Sequence, residues 1–388
     1  MRKDSKRDPY LVIEWSDSKT EAIGWLSIYN FADGVAGGGL RIMDTVTREE
    51  VERLSQVMSY KYVAGESKSG GAKGGIRYDY HKPDALDVMK RYLEAVKPYL
   101  MSGVVLGGDL GTDPADVRRI KRAMGVHDRV GNKLRCNPEK AKLADIKKDE
   151  LSPATLDGMD MDHVSSGFSV AAGTDEAWKL LKGTTGASVA IQGFGKVGGS
   201  GALWLDRWGY KIVAISDINA MYYNADGLNV RDLLDSADEL GEIHPDKLKS
   251  KVEIRNRDEW LGLEVDIIIP AAIEDVINKD TAPLVKASLI SEGANIPTTP
   301  EADVILEAMG VHIVPDFVAN QGGVTYWGII NDYYIDEETG DLTPMEIMNR
   351  LSGIVRKDVQ KTLDYARAHN VSEREAAWTV FKPDESWY

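Results

Sequence analysis

At 388 residues the chain is too long for one small core, and its 43% hydrophobic and 28% charged residues describe a globular protein of about two or three domains. A net charge of −15 argues against a general binder of nucleic acid or anionic membrane, and no apolar run approaches the roughly 18 residues that cross a bilayer. The single cysteine, Cys136, excludes an internal disulfide and fits a cytoplasmic setting, and the six histidines lie too far apart for a metal site, so no metal is expected.

The basic residues of the first seven positions precede no apolar segment, so no secretory signal is expected there. Leu11–Trp15 and Ala22–Tyr29 alternate and are β-prone, which predicts two strands around a polar turn. Gly34–Gly39 reads as a glycine-rich loop. Thr47 and Glu50 then fit a capping box, and Val51, Leu54, Met58 and Lys61 share one face of the helix that follows. That face is otherwise apolar, so Lys61 is expected to point inward. Lys73 follows inside Gly70-Gly71-Ala72-Lys73-Gly74-Gly75, where the glycines let backbone and ligand approach closely. A buried lysine is costly unless an anion pairs with it. The simplest partners are a substrate carboxylate or Asp109, in Gly107-Gly108-Asp109-Leu110-Gly111. A second helix is expected near Ala85–Tyr99.

From Asp128 to Asp162 the chain turns polar and aperiodic, which predicts a surface excursion and a domain boundary near residues 145–165. After it, apolar runs at Ala187–Ile191, Lys211–Ser216, Asp266–Pro270, Ser288–Ser291 and Val311–Val314 alternate with helical patterns. That alternation indicates a parallel doubly wound sheet. The tail beyond about residue 340 reads as helical. The expected division is a mixed α/β domain at 1–150, joined by C-terminal helices at 340–388, and a Rossmann dinucleotide-binding domain at 151–339.

Gly193-Phe194-Gly195-Lys196-Val197-Gly198 matches the dinucleotide fingerprint between a strand and a helix, with Asp217 19 positions past the third glycine. The glycines serve the tight turn, the close approach of a pyrophosphate and the packing of helix on strand. The helix N-terminus offers its unpaired N–H groups to phosphate. Asp217 is placed for the adenosine ribose. No arginine follows it directly, so NAD is favoured, with NADP left open.

These motifs resemble the glutamate/leucine/phenylalanine/valine dehydrogenase family over roughly residues 9–335. The similarity rests on Gly38-Gly39-Leu40-Arg41, Met58-Ser59-Tyr60-Lys61, the Lys73 and Asp109 motifs, Pro270-Ala271-Ala272, Glu292-Gly293-Ala294-Asn295, Pro297–Asp303 and Ala319–Val324. The short N-terminal region looks like the leucine/phenylalanine branch, and the second domain's motifs look closer to the glutamate branch. The resemblance implies a first domain that carries substrate and assembles the protein into a homo-oligomer, a cleft between the domains, and oxidative deamination of an L-amino acid to the 2-oxo acid and ammonia. It assigns the substrate α-carboxylate to Lys61, catalysis to Lys73 and Asp109, and the nicotinamide side to Ser166, Asn295 and Asn320. Gly38, Gly39, Val324 and Trp327 belong to its substrate positions, and Ala271 and Ala272 to its cofactor positions. To activate water near neutrality, the lysine's pKa must fall from about 10.4 toward about 7–8.

Three departures stand out. The family's glutamate enzymes carry a lysine at position 37 and a serine at position 327 for the side-chain carboxylate, and this chain has Gly37 and Trp327. The proline before the Lys73 motif is replaced by Ser67-Lys68-Ser69. The first two departures imply a neutral, aromatic or atypical amino acid rather than glutamate. Trp327 either fills the pocket, faces an unusual side chain, or packs on C-terminal helices. The alternatives are an oxidoreductase acting on another amine and a catalytically silent nucleotide-binding regulator.

Overall fold

The computed structural model describes residues 8–126, 146, 151, 154–238, 240–336 and 342–384. Most of the polar excursion expected from Asp128 onward lies outside the described residues. The chain divides into two compact units, the first taking the described residues up to 126 with 331–336 and 382–384, the second those from 146 to 330 and from 342 to 381. Among the described residues, no helix is long and apolar enough to cross a membrane.

The first unit is built on strands β1 (Leu11–Ser16), β2 (Ile23–Ile28), β3 (Ala36–Met43), β4 (Gly70–Arg77) and β5 (Val104–Gly108), with helices α1 (Arg48–Ala64), α2 (Ala85–Met101) and α3 (Pro114–Ala123). The sheet order is β1-β2-β4-β3-β5. β1 and β2 form the expected antiparallel hairpin, and β3 pairs in parallel with both β4 and β5. One sheet face buries Leu26, Ile28, Leu40, Ala72 and Ile76 in a core with Val88, Met89, Tyr92 and Val96 of α2. The buried Tyr92 hydroxyl donates to Trp25 O at 2.8 Å.

The opposite face receives α1, and its glycines explain the strand. Gly37–Gly39, the end of the segment expected as a glycine-rich loop, are strand residues instead, as are Gly70–Gly75. A Cβ on Gly71 would lie 2.2 Å from Ser55 O and 2.5 Å from Ser59 N, and one on Gly75 2.4 Å from Val51. The glycines are therefore there to let helix and sheet backbones close up. Val51, Leu54 and Lys61 of the stripe read in the sequence are buried as expected, and Ser55 and Ser59 are buried beside them against the strand. Ser55 Oγ meets Ser27 Oγ at 2.8 Å, and Ser59 Oγ donates to Asn30 Oδ1 at 2.7 Å. The two buried serines of α1 are thus satisfied from the sheet side, one by a hydroxyl and one by an amide oxygen. The Thr47–Glu50 capping box is present.

The second unit opens with a hairpin of β6 (Thr155–Leu156) and β7 (Met159–Asp160), turned at Asp157 and Gly158, both at positive φ. Helix α4 (Met161–Lys182) leads to a mixed sheet of β8 (Ser188–Gln192), β9 (Lys211–Ser216), β10 (Met221–Tyr223), β11 (Glu253–Arg255), β12 (Ile267–Pro270), β13 (Leu289–Ser291) and β14 (His312–Val314). Its order is β11-β10-β9-β8-β12-β13-β14, in which β9 to β14 across β8 run parallel and β10 and β11 are antiparallel additions. This is the Rossmann-like sheet that the apolar runs predict. Helices α5 (Lys196–Arg207), α6 (Val230–Ser236), α7 (Pro300–Ala308), α8 (Asp316–Ala319), α9 (Gly322–Asp336), α10 (Pro344–His369) and α11 (Glu373–Val380) complete the chain.

One division differs from the sequence reading. The C-terminal helices were expected with the first domain, yet α10 and α11 belong to the second unit. Arg356 of α10 pairs with Asp175 of α4 at 2.6 Å, and Asp358 accepts from Gln321 at 3.1 Å. Helical periodicity marks an apolar stripe but not its partner.

Because Gly71 faces helix backbone rather than a flexible side chain, Gly71→Ala is expected to destabilise the first unit by about 1–3 kcal/mol through overpacking. A urea titration should show the earlier of the unfolding transitions move to lower denaturant. An unchanged profile would contradict the tight packing of α1 on β4.

Candidate active site

In the first unit, β3 and β4 run side by side with Gly39 opposite Lys73, and Lys73 points to the α1 face with Arg41. Lys73 is 3% exposed and Lys61, near the end of α1, is 5% exposed. The expectation that Lys61 turns inward therefore agrees with its burial. Lys73 Nζ donates to Asp109 Oδ2 in a short ion pair. Asp109 follows β5, where a Cβ on Gly39 would lie 2.9 Å from its Cβ. The bare Gly39 is what lets the carboxylate reach the lysine. A Cβ on Gly38 would lie 1.8 Å from Ala72 O on the other side.

Asp109 is held from behind as well. Its N–H donates to Thr112 Oγ1 at 2.8 Å, and Leu110 N–H donates to its Oδ1 at 2.7 Å. Arg41 Nε lies 3.8 Å from its Oδ2, and Arg41 Nη1 donates to Glu50 of the capping box. Burial alone would raise the Asp109 carboxyl. The charges of Lys73 and Arg41, with hydrogen bonds from Lys73 and the Leu110 amide, outweigh it and hold the group well below the usual carboxylate range. Arg41 and Glu50 did not emerge from the sequence as site residues. The available signal was register, since a basic side chain two strand positions from Gly39 must share its face.

In the second unit, the fingerprint forms the expected strand–turn–helix. Gly193 has φ +89°, and a Cβ on Gly198 would lie 1.9 Å from Gly193 O, so that glycine brings α5 onto the turn. Gly195 is the α5 N-cap and makes no side-chain cap. A Cβ there would meet nothing closer than Leu240 O at 3.7 Å. The unpaired amides of Lys196, Val197 and Gly198 suit a pyrophosphate. Phe194 is buried beneath them.

The remaining nucleotide residues converge on this turn. Ala271 N–H donates to Gln192 O at 2.8 Å, and Cβ atoms on Gly193 and Gly293 would meet Ala271 or Ala272 within 3.0 Å. A Cβ on Gly323 would lie 3.1 Å from Ser166 Oγ, which places Ser166 beside the start of α9, at Gly323, the residue before Val324. Asn320 Nδ2 donates to Gly293 O and Ala294 O at 3.1 Å and to Asn295 Oδ1 at 3.2 Å. Its Oδ1 is buried and without a hydrogen-bond partner. A buried acceptor left open in this way fits the carboxamide of a nicotinamide. Trp327, half-buried on α9, meets Tyr326 edge-on with ring centroids 4.8 Å apart. Asp217 is 8% exposed, and backbone amides of Asn219, Ala220 and Ile243 all donate to its carboxylate at 2.8 Å.

Comparison with known proteins matches both units. A family model described as Glu/Leu/Phe/Val dehydrogenase, dimerisation domain, covers residues 11–125, and one described as Glutamate/Leucine/Phenylalanine/Valine dehydrogenase covers residues 158–381. The chain is similar to the NADP-specific glutamate dehydrogenase of Saccharolobus shibatae, 36% identical over 320 residues, 80% of this chain and 71% of that one. It is also similar to the NAD-specific glutamate dehydrogenase A of Halobacterium salinarum, 32% identical over 323 residues, 81% of this chain and 69% of the other. A crystal structure of the hetero-hexameric glutamate dehydrogenase from Thermus thermophilus, in a Leu-bound form, shares the fold with a TM-score of 0.76, 24% identity and coverage of 96% of this chain and 87% of that one.

These relatives overturn the expectation of a substrate other than glutamate, together with its alternatives of another amine or a silent regulator. Their names point to glutamate across most of the chain. Gly37 lacks the lysine of the glutamate enzymes, yet a Cβ there would lie 2.2 Å from Tyr62 Oη. A phenol hydroxyl fills the space above Gly37.

Since the folded Asp109 pKa lies below its unfolded value near 3.8, its ionisation stabilises the fold above about pH 4 and that contribution is lost as pH falls. The gap in melting temperature between wild type and Asp109→Asn should therefore be open at pH 6 to 7 (on the order of neutral conditions) and narrow below about pH 4. A gap independent of pH would show that the carboxylate's charge is not what the site stabilises.

Proposed function

The chain belongs to the glutamate/leucine/phenylalanine/valine dehydrogenase family, and we propose that it catalyses the reversible NAD(P)-dependent oxidative deamination of glutamate. The observation that carries this reading is the buried Lys73–Asp109 pair with Arg41 behind it. Paired, buried ionisable groups of this kind mark active sites more often than structural ones.

The reaction consumes glutamate, oxidised dinucleotide and water, and releases 2-oxoglutarate, ammonium, reduced dinucleotide and a proton. When bound to the second unit, the nicotinamide supplies the acceptor for the hydride that leaves the substrate Cα. Lys61 holds the α-carboxylate, its buried ammonium being matched by an anion. Lys73 orients the water that attacks the imine carbon and stabilises the oxygen as charge develops on it. Asp109 moves the proton to and from the substrate nitrogen, and its low pKa keeps it ionised across the working range. Asn320, with its open Oδ1, orients the carboxamide. Tyr62, whose hydroxyl lies over Gly37 on the same sheet face as Lys73, reads the distal carboxylate.

Assembly into a homo-oligomer through the first unit is supported by the dimerisation-domain match. A single cysteine fits a reducing, cytoplasmic setting.

Following reduced dinucleotide by absorbance at alkaline pH over a panel of amino acids, glutamate should be turned over in preference to leucine, valine and phenylalanine. Lys73→Ala should lower kcat by about 10²–10⁴ with the melting temperature little changed. Preference for a neutral amino acid would remove the glutamate assignment. Tyr62→Phe should raise KM for glutamate about tenfold, the loss of one hydrogen bond to a charged group, with a smaller effect on kcat. An unaltered KM would take Tyr62 out of the recognition of the distal carboxylate.

A further inference from the structure

Asp217 stands at the end of β9, where the fingerprint logic places the acid that binds the adenosine ribose. Its carboxylate is already committed. Oδ1 accepts the amides of Asn219 and Ala220, and Oδ2 accepts the amide of Ile243, each at 2.8 Å. Three of roughly four lone-pair positions on a carboxylate are thus spent on backbone. The side chain braces the turn after β9 and ties Ile243 to it.

That brace sets a different polar pair at the surface. Asn219 is exposed and Glu242 half-buried, and Asn219 Nδ2 donates to Glu242 Oε1 at 2.7 Å. Glu242 lies between Gly241 and Ile243. Gly241, at φ +83°, packs its backbone against Phe194 and Gly195 of the fingerprint, while Ile243 is bonded to Asp217. Glu242 therefore sits along the path from the phosphate turn to the strand end, the span that an adenosine must cover. On either side stand Ile218, 70% exposed, and Leu240, 83% exposed. Large apolar side chains held this far into water beside a polar pair describe a surface that awaits an apolar ring with a polar edge.

We propose that Asn219 and Glu242, rather than Asp217, bind the ribose hydroxyls, that Ile218 and Leu240 clasp the adenine, and that the chain selects NAD over NADP. The proposal rests on the dinucleotide reading above. The amide donates to a ribose oxygen and the carboxylate accepts from a ribose hydroxyl. A 2′-phosphate, carrying a charge of about −1.5 to −2, would instead face Glu242, with Asp238 bonded to the Glu242 amide at 3.0 Å. Among the described residues, Arg257 is a cation held beside Ile218. It donates through Nη1 to Ile218 O at 2.8 Å and lies 3.6 Å from Asp258, so it is engaged with the turn and a neighbouring acid.

The test is direct titration of NADH and NADPH into the full chain, followed by nucleotide fluorescence, with melting temperature measured on every variant. Wild type should bind NADH about a hundredfold more tightly than NADPH, as expected when like charges are brought together. Glu242→Ala should weaken NADH at least about tenfold with the melting temperature retained, as one charge-assisted hydrogen bond predicts. Glu242→Lys should narrow the NADH preference by about tenfold or more. Asp217→Asn should lower the melting temperature, as loss of a brace does. Unchanged NADH affinity in Glu242→Ala and Asn219→Ala would overturn the proposal. So would equal binding of NADPH by wild type, or a selective loss of NADPH in Arg257→Ala. Binding of neither nucleotide would sink the dinucleotide reading itself and this proposal with it.

Discussion

Everything in the first unit is arranged around the cost of burying charge. Lys73, Arg41 and Asp109 share one face of a sheet, with Glu50 behind, and none of them could stay there alone. Each cation has a carboxylate and each carboxylate a cation, so removing one partner leaves the other uncompensated. The glycines serve this arrangement. Without a side chain at Gly39, Asp109 reaches Lys73, and without one at Gly71, α1 closes over the strand. Those glycines carry a conformational cost that the fold accepts in exchange for a pre-positioned ion pair. Catalysis by preorganised charge has this structural signature, because the reorganisation is completed during folding.

The second unit applies the same logic to hydrogen bonds. Asn320 is buried and oriented by three donor contacts from its amide nitrogen, which leaves only its oxygen open. The loop that accepts those contacts is itself anchored. Arg374 of α11 donates to both oxygens of the buried Glu292 at 2.6 and 2.5 Å, and Glu292 accepts the Asp316 amide at 2.9 Å. Asp316 in turn accepts from Ile296 N–H at 2.8 Å. The final short helix thereby secures the Glu292–Ile296 segment from behind. This explains why the C-terminal helices belong with the nucleotide-binding unit.

Relatives named glutamate dehydrogenase overturned the expectation of a substrate other than glutamate. Gly37 and Trp327 lack the anion ligands of the glutamate enzymes at their own positions. The space that a side chain at Gly37 would take is occupied by the Tyr62 hydroxyl from the neighbouring helix. Position-by-position comparison registers what a residue lacks at its own site. It does not register what another element brings there.

Local chemistry was legible from the residues alone. The capping box of α1, the fingerprint turn, the alternation of apolar strands with helices, and the burial of Lys61 all follow from short-range spacing and the preferences of individual residues. Tertiary structure alone decided the rest. It made strand of Gly37–Gly39, because glycine's lack of a side chain serves a loop and a close helix–sheet contact equally well. It brought Arg41 and Glu50 to Asp109, since strand pairing joins residues with no fixed sequence separation. It also committed Asp217 to backbone amides, because hydrogen-bond partners are assigned by which segments meet in space.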